Sequence, residues 1–135
     1  MPELPAAADQ SHLEDSDHSQ CQSILQLLDR VGDKWTILLV GTLADGPVSY
    51  NTIMRDIGGV SHRMLISTLR GLERDGIVER RALATAPSNV EYELSPLGRS
   101  LIGPLEEVMK WIRKNQQLIE SARSVFDAEA NPKLM

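Results

Sequence analysis

The sequence predicts a mainly α-helical chain with one small β-hairpin, arranged as a winged helix-turn-helix. Three observations carry that expectation. Apolar residues recur at helical spacing in four stretches up to Gly76; the period changes to two between Ile77 and Leu94; and helical spacing returns after Pro96. One Phe, two Tyr and two Trp leave an aliphatic core, which suits short helices better than a sandwich.

Residues 1–20 are rich in Ala, Asp, Ser and Pro without apolar period and read as a disordered acidic tail. From Gln22 to Val31, Ile24, Leu28 and Val31 repeat at helical spacing, with Leu25 and Leu27 beside them, and Gly32 breaks the helix. Asp33 can cap a second helix in which Trp35, Leu38, Leu39 and Thr42 share a face. Residues 44–47, Ala-Asp-Gly-Pro, form a turn by composition. Ser49 caps a third helix with Tyr50, Ile53, Met54 and Ile57 at i, i+3, i+4 and i+7, stopped by Gly58 and Gly59. Ser61 caps a fourth, with Leu65, Leu69 and Leu72 on one stripe and Gly76 at its end. Residues 77–83 and the alternating run Val90 to Leu94 make a two-stranded hairpin around a turn at 84–89. Ser95 and Pro96 then start a last helix carrying Leu97, Leu101, Leu105, Val108 and Ile112, widened by Ile102, Met109 and Trp111. The expected organisation is therefore a tail over 1–20, a winged helix-turn-helix and dimerisation domain over 21–120, and a C-terminal extension over 121–135.

The net charge of -5 is unpromising for a nucleic-acid binder, but its distribution is informative. Glu3, Asp9, Glu14, Asp15 and Asp17 supply all of it, and residues 1–20 contain no Lys or Arg. The rest of the chain is balanced, so local arrangement decides. On the fourth helix, Arg63, Ser67, Arg70 and Arg74 follow i, i+4, i+7 and i+11 opposite the leucine stripe, and no acid falls between Ser61 and Leu72. Arg grips guanine edges or phosphates with a planar fork, and Ser supplies short adaptable hydrogen bonds. Residues at a reading helix's N-terminus reach bases, which makes Ser61, His62, Arg63 and Ser67 the readout candidates. Arg70 and Arg74 are placed on the DNA backbone or in pairs with Glu73 and Asp75; the alternative for the whole stripe is a solvated helix face. In the hairpin, Arg80 and Arg81 either reach DNA or pair across the strands with Glu91 or Glu93. Ser88 and Asn89 either bond phosphate or build the turn.

These elements resemble the HxlR-type regulators, a branch of winged-helix repressors and activators related to the MarR group. The resemblance rests on Cys21, on residues 31–39 (VGDKWTILL), on 56–61 (DIGGVS), on Met64 and Leu65, on 69–80 (LRGLERDGIVER), on 90–98 (VEYELSPLG) and on Trp111. It implies a cytoplasmic homodimer that binds a near-palindromic double-stranded DNA operator, with the first and last helices as dimer interface. The chain departs from the pattern where the family often carries Arg-Phe and this sequence has Ser49 and Tyr50, and where Asp33 replaces Gly. Loss of that Arg removes a phosphate contact that Ser49 can supply only in part.

The terminal helices also read as dimer elements on physical grounds. Ile24 and Leu28 in the first, with Leu101, Leu105, Val108, Trp111 and Ile112 in the last, are more apolar surface than so small a domain can enclose. Cys21, the one cysteine, excludes an internal disulfide and suits a reducing compartment. It is a candidate redox sensor: it falls just before the first expected helix, where a helix N-terminus can activate a thiol, and some members of the resembling family sense oxidants through a cysteine at this position. The alternative is a small buried hydrophobe. His12, His18 and His62 are isolated, and no metal-ligand spacing, phosphate loop or Cys-His pair occurs, so neither an enzyme, a metal site nor a cofactor is expected. No apolar run spans a bilayer and residues 1–20 do not form a secretory signal. A small-molecule effector is an additional candidate partner, and a winged-helix module that binds protein instead of DNA is the competing function.

Overall fold

A computed structural model of the chain describes residues 10–83 and 86–130. The element order is α1 (Gln10–Val31), α2 (Lys34–Leu43), β1 (Val48–Ser49), α3 (Tyr50–Ile57), α4 (His62–Arg74), β2 (Val78–Leu83), β3 (Ala86–Leu94), α5 (Pro96–Ser100) and α6 (Ile102–Ala130). The three strands form one antiparallel sheet in the order β1-β3-β2. This is a winged helix-turn-helix: α3 and α4 are the helical pair, and β2 and β3 the wing.

All four expected caps are present. Asp33 Oδ1 accepts from the Trp35 amide at 2.8 Å, and Ser49 Oγ from that of Thr52 at 3.3 Å. Ser61 Oγ accepts from the Met64 amide and Ser95 Oγ from the Gly98 amide, each at 3.0 Å. Each satisfies an amide the helix cannot bond internally, at about 1 kcal/mol. Between α3 and α4, Gly58 and Gly59 have φ of 60° and 67°, the left-handed region that turns the chain sharply enough to cross the two helices. The core is aliphatic: Leu39 and Leu43 of α2, Ile53 of α3, and Leu65, Leu69 and Leu72 of α4 pack with Val78, Tyr92 and Leu94 of the sheet.

Several boundaries differ from the sequence reading. α1 starts at Gln10, so residues 10–20, expected as tail, continue the helix; residues 1–9 lie outside the described residues. A helix nucleated by the apolar stretch downstream lengthens at little further cost. α2 buries Thr36, Leu39, Val40 and Leu43, whereas Leu38 is exposed and Trp35 half-buried. A helix apolar on nearly every side presents no unique stripe. The sheet gains β1, whose Val48 and Ser49 pair with Tyr92 and Glu91. β3 begins at Ala86 rather than Val90, so residues 86–89 of the expected turn belong to the strand, and residues 84 and 85 lie outside the described residues. Pro87 is accommodated because β1 reaches only Glu91 and Tyr92, leaving that end of β3 paired on one side, next to a register shift at Ala82 and Leu83.

The last helix is broken in two. Pro104 has no amide to give to Ser100 and its ring crowds that turn, so α5 stops at Ser100 and α6 starts afresh at Ile102. α6 then runs unbroken through residue 120 to Ala130, with no boundary where the C-terminal extension was expected to begin.

Candidate nucleic-acid interface

α4 sorts its side chains as the alternation of Arg and Leu dictates. Leu65, Thr68, Leu69 and Leu72 are buried, while Ser61, His62, Arg63, Ser67, Arg70 and Arg74 are exposed. Between this helix, the start of α3 and the wing lies a groove of about 360 Å³. Five of the sequence-predicted residues line it: Ser49, His62, Arg70, Arg80 and Asn89. Ser61, Arg63 and Ser67 do not line it and stand on the exposed side of α4.

Strand alternation separates the two wing arginines. Arg80 stands opposite Tyr92 and lines the groove, whereas Arg81 stands opposite Glu91 on the other face and forms an ion pair with Glu93. Among the described residues, no acid is within ion-pair distance of Arg63, Arg70, Arg74 or Arg80. The groove therefore holds, among the described residues, Arg70 and Arg80 against a single acid, Glu73. Of the two alternatives for Arg74, DNA backbone or an acid, pairing with Asp75 is not seen: Asp75 Oδ2 accepts from Arg30 Nε of α1 at 3.0 Å. The guanidinium of Arg30 lies across Gly71, where a Cβ would fall 2.2 Å from Nη1. Arg30 thus ties the end of α1 to the end of α4.

The sequence reading also missed two adjacent polar residues of the groove on α3, Tyr50 and Asn51. Helical spacing assigned Tyr50 to the apolar face of α3, but its hydroxyl lies 2.5 Å from His62 Nδ1, with the rings edge to face at 5.3 Å and 80°. Burial, with the nearby Tyr92 hydroxyl, raises the Tyr50 pKa above its ordinary value and keeps the phenol protonated. Asn51, beside it, carried no periodic signal. Among the described residues no three of His, Cys, Asp and Glu gather to hold a metal ion, and no helix is long and apolar enough to cross a membrane.

The terminal helices leave the core with their apolar residues uncovered. On α1, Ile24 and Leu28 are 59% and 58% exposed; on α6, Val108, Trp111 and Ile112 are 49%, 60% and 41% exposed. Leu101 and Leu105 differ from the expectation: half-buried, they pack against the domain's own core and anchor the start of α6. Cys21 is free and exposed. It lies at the midpoint of α1 rather than before its first turn, so activation by a helix N-terminus does not apply.

A family model described as the HxlR-like helix-turn-helix matches residues 30–120. The HTH-type transcriptional regulator YtfH of Escherichia coli is 36% identical over 96 residues, 71% of this chain and 75% of that protein. Among solved structures, the redox regulator HypR in its reduced form aligns with a TM-score of 0.66 at 34% identity, covering 73% of this chain and 98% of that one. Quinone-bound YodB from Bacillus subtilis aligns with a TM-score of 0.60 at 28% identity, over 70% of this chain and 99% of the other.

Proposed function

The chain belongs to the HxlR-like family of helix-turn-helix transcriptional regulators, and from that premise we propose that it binds a near-palindromic DNA operator sequence-specifically as a homodimer. The observation that carries this reading is the groove in which Arg70 and Arg80, free of acidic partners among the described residues, converge with Ser49, His62 and Asn89. Arg63 and Ser67, exposed near the start of α4, extend the same donor surface toward base edges. The uncovered apolar residues of α1 and α6 support the dimer, which would set two reading helices about 34 Å apart, one turn of DNA. Such a protein acts where the bacterial chromosome is, in the cytoplasm.

Titration of DNA from upstream of the protein's own gene, at several salt concentrations, tests the reading. Affinity should fall steeply and linearly in log-log form as counterions are released, and Arg63→Ala should cost operator preference of about 1–3 kcal/mol. Equal affinity for operator and random DNA at every salt would sink it in favour of a protein-binding module. That alternative also predicts unchanged function when Arg63 and Arg70 are reversed to Glu.

A redox input is favoured by the exposure of Cys21 and by the likeness to HypR and YodB, a redox regulator and a quinone-bound protein by description. Two Cys21 thiols, one per subunit, would lose two electrons and two protons to an oxidant and join as a disulfide, or each would join a small thiol. Identical operator affinity of wild type and Cys21→Ser, before and after mild oxidant, excludes this role. A small-molecule effector bound at the groove would compete with DNA in the same titration.

A further inference from the structure

We propose that the Tyr50 hydroxyl fixes the tautomer of His62, so that His62 presents its Nε2–H to DNA as a donor and selects a base-edge acceptor at the operator. The base-reading half rests on the DNA-binding function proposed above; the tautomer half stands without it.

His62 is the first residue of α4, the place from which a reading helix reaches base edges. Its imidazole is held rather than free: Tyr50 Oη lies 2.5 Å from Nδ1 and the rings pack edge to face. A neutral imidazole carries one N–H, on either nitrogen, and the group bonded to one nitrogen decides which. Between a phenol and an imidazole, the nitrogen is the stronger base, so the phenol donates and Nδ1 accepts. Burial keeps the Tyr50 proton in place, and the other acceptor near the hydroxyl, Met54 Sδ at 4.0 Å, is weak and distant. The ring hydrogen therefore resides on Nε2.

That assignment has a consequence for recognition. In the major groove guanine offers N7 and O6, adenine N7 and thymine O4 as acceptors, while cytosine offers only its amino donor. A fixed Nε2–H favours the first three and meets the cytosine amino group donor against donor. The device depends on a hydroxyl at position 50, where a Phe would leave the imidazole unheld.

Long-range proton–nitrogen correlation spectra of the full ¹⁵N-labelled chain, at a pH where imidazole is neutral, test the tautomer. His62 is identified by loss of its signals in His62→Ala. Nδ1 should be unprotonated and Nε2 protonated, and Tyr50→Phe, which removes only the hydroxyl, should shift the Nδ1 resonance. A protonated Nδ1 in wild type, or an unchanged Nδ1 in Tyr50→Phe, overturns the assignment.

Selection from a randomised operator tests the reading of bases. His62→Ala should abolish discrimination against cytosine at one position per half-site, about fivefold for one hydrogen bond, and Tyr50→Phe should weaken it. Equal loss of affinity for operator and random DNA would make His62 a phosphate contact and overturn the base-reading half. A wild type without operator preference would instead overturn the DNA-binding function itself, with the spectra deciding the tautomer.

Discussion

Gly71 and Gly98 are both pressed against a neighbour, and what each presses against decides its importance. A Cβ at Gly98 would lie 2.1 Å from the Ile77 carbonyl oxygen, part of a backbone that Ser95 pins by donating to the Gly76 and Ile77 carbonyls at 2.5 and 3.0 Å. A Cβ at Gly71 would meet only the end of the Arg30 side chain, which can swing aside. Gly98→Ala is therefore expected to destabilise by about 2–3 kcal/mol, and Gly71→Ala by less than about 1 kcal/mol through loss of the Arg30–Asp75 pair. Urea unfolding of both variants checks the order. Thr36 makes the opposite case: it is fully buried and its hydroxyl has no partner among the described residues. Thr36→Val removes an unsatisfied group at nearly constant shape, so the denaturation midpoint should rise by the equivalent of about 1 kcal/mol.

Within the wing, alternation gives adjacent arginines different work. Arg80 faces the groove, whereas Arg81 is neutralised by Glu93 on the far face. In salt titrations Arg80→Ala should reduce the log-log slope by about one unit, as loss of a phosphate contact does. Arg81→Ala should leave the slope unchanged and cost less than about 1 kcal/mol of stability. An equal slope change for both would mean that the ion pair opens on DNA. The four capping residues and the α4 leucine stripe were legible because caps and amphipathic stripes are written within one turn of the chain. The inward face of α2 was not, since only packing partners choose among its apolar sides. The division at Leu101 had a local signal in Pro104, but the apolar repeat running across it masked the break.

For the whole molecule, the long terminal helices leave apolar residues uncovered, the surface proposed above for the dimer. Trp111→Glu combined with Ile112→Asp places charges in the exposed α6 surface and avoids the half-buried Leu101 and Leu105. Sedimentation equilibrium should then report half the wild-type mass, with the helical content of the domain retained and operator affinity reduced at least tenfold. A variant that remains dimeric, or a wild type already monomeric, would remove α6 from the interface. Arg30 bears on the same scale, because it joins α1, proposed for the dimer, to the end of α4, proposed to read DNA. This pair spans 45 residues of sequence, and no local pattern announces it.

The sequence by itself determined the succession of four helices, wing and closing helical stretch, without β1 or the break at Leu101, and with it the caps, the Arg-rich face of α4 and the family, all properties of neighbouring residues or of a pattern read along the chain. Only the tertiary structure decided that Arg80 joins Arg70 while Arg81 does not, that Tyr50 holds His62, that Arg30 takes Asp75 from Arg74, and that Leu101 and Leu105 turn inward. Each of those outcomes is set by strand register or helix crossing, which bring residues far apart in sequence within a few ångströms. The winged helix-turn-helix was thus written locally, and the donor surface that it presents was assembled by packing.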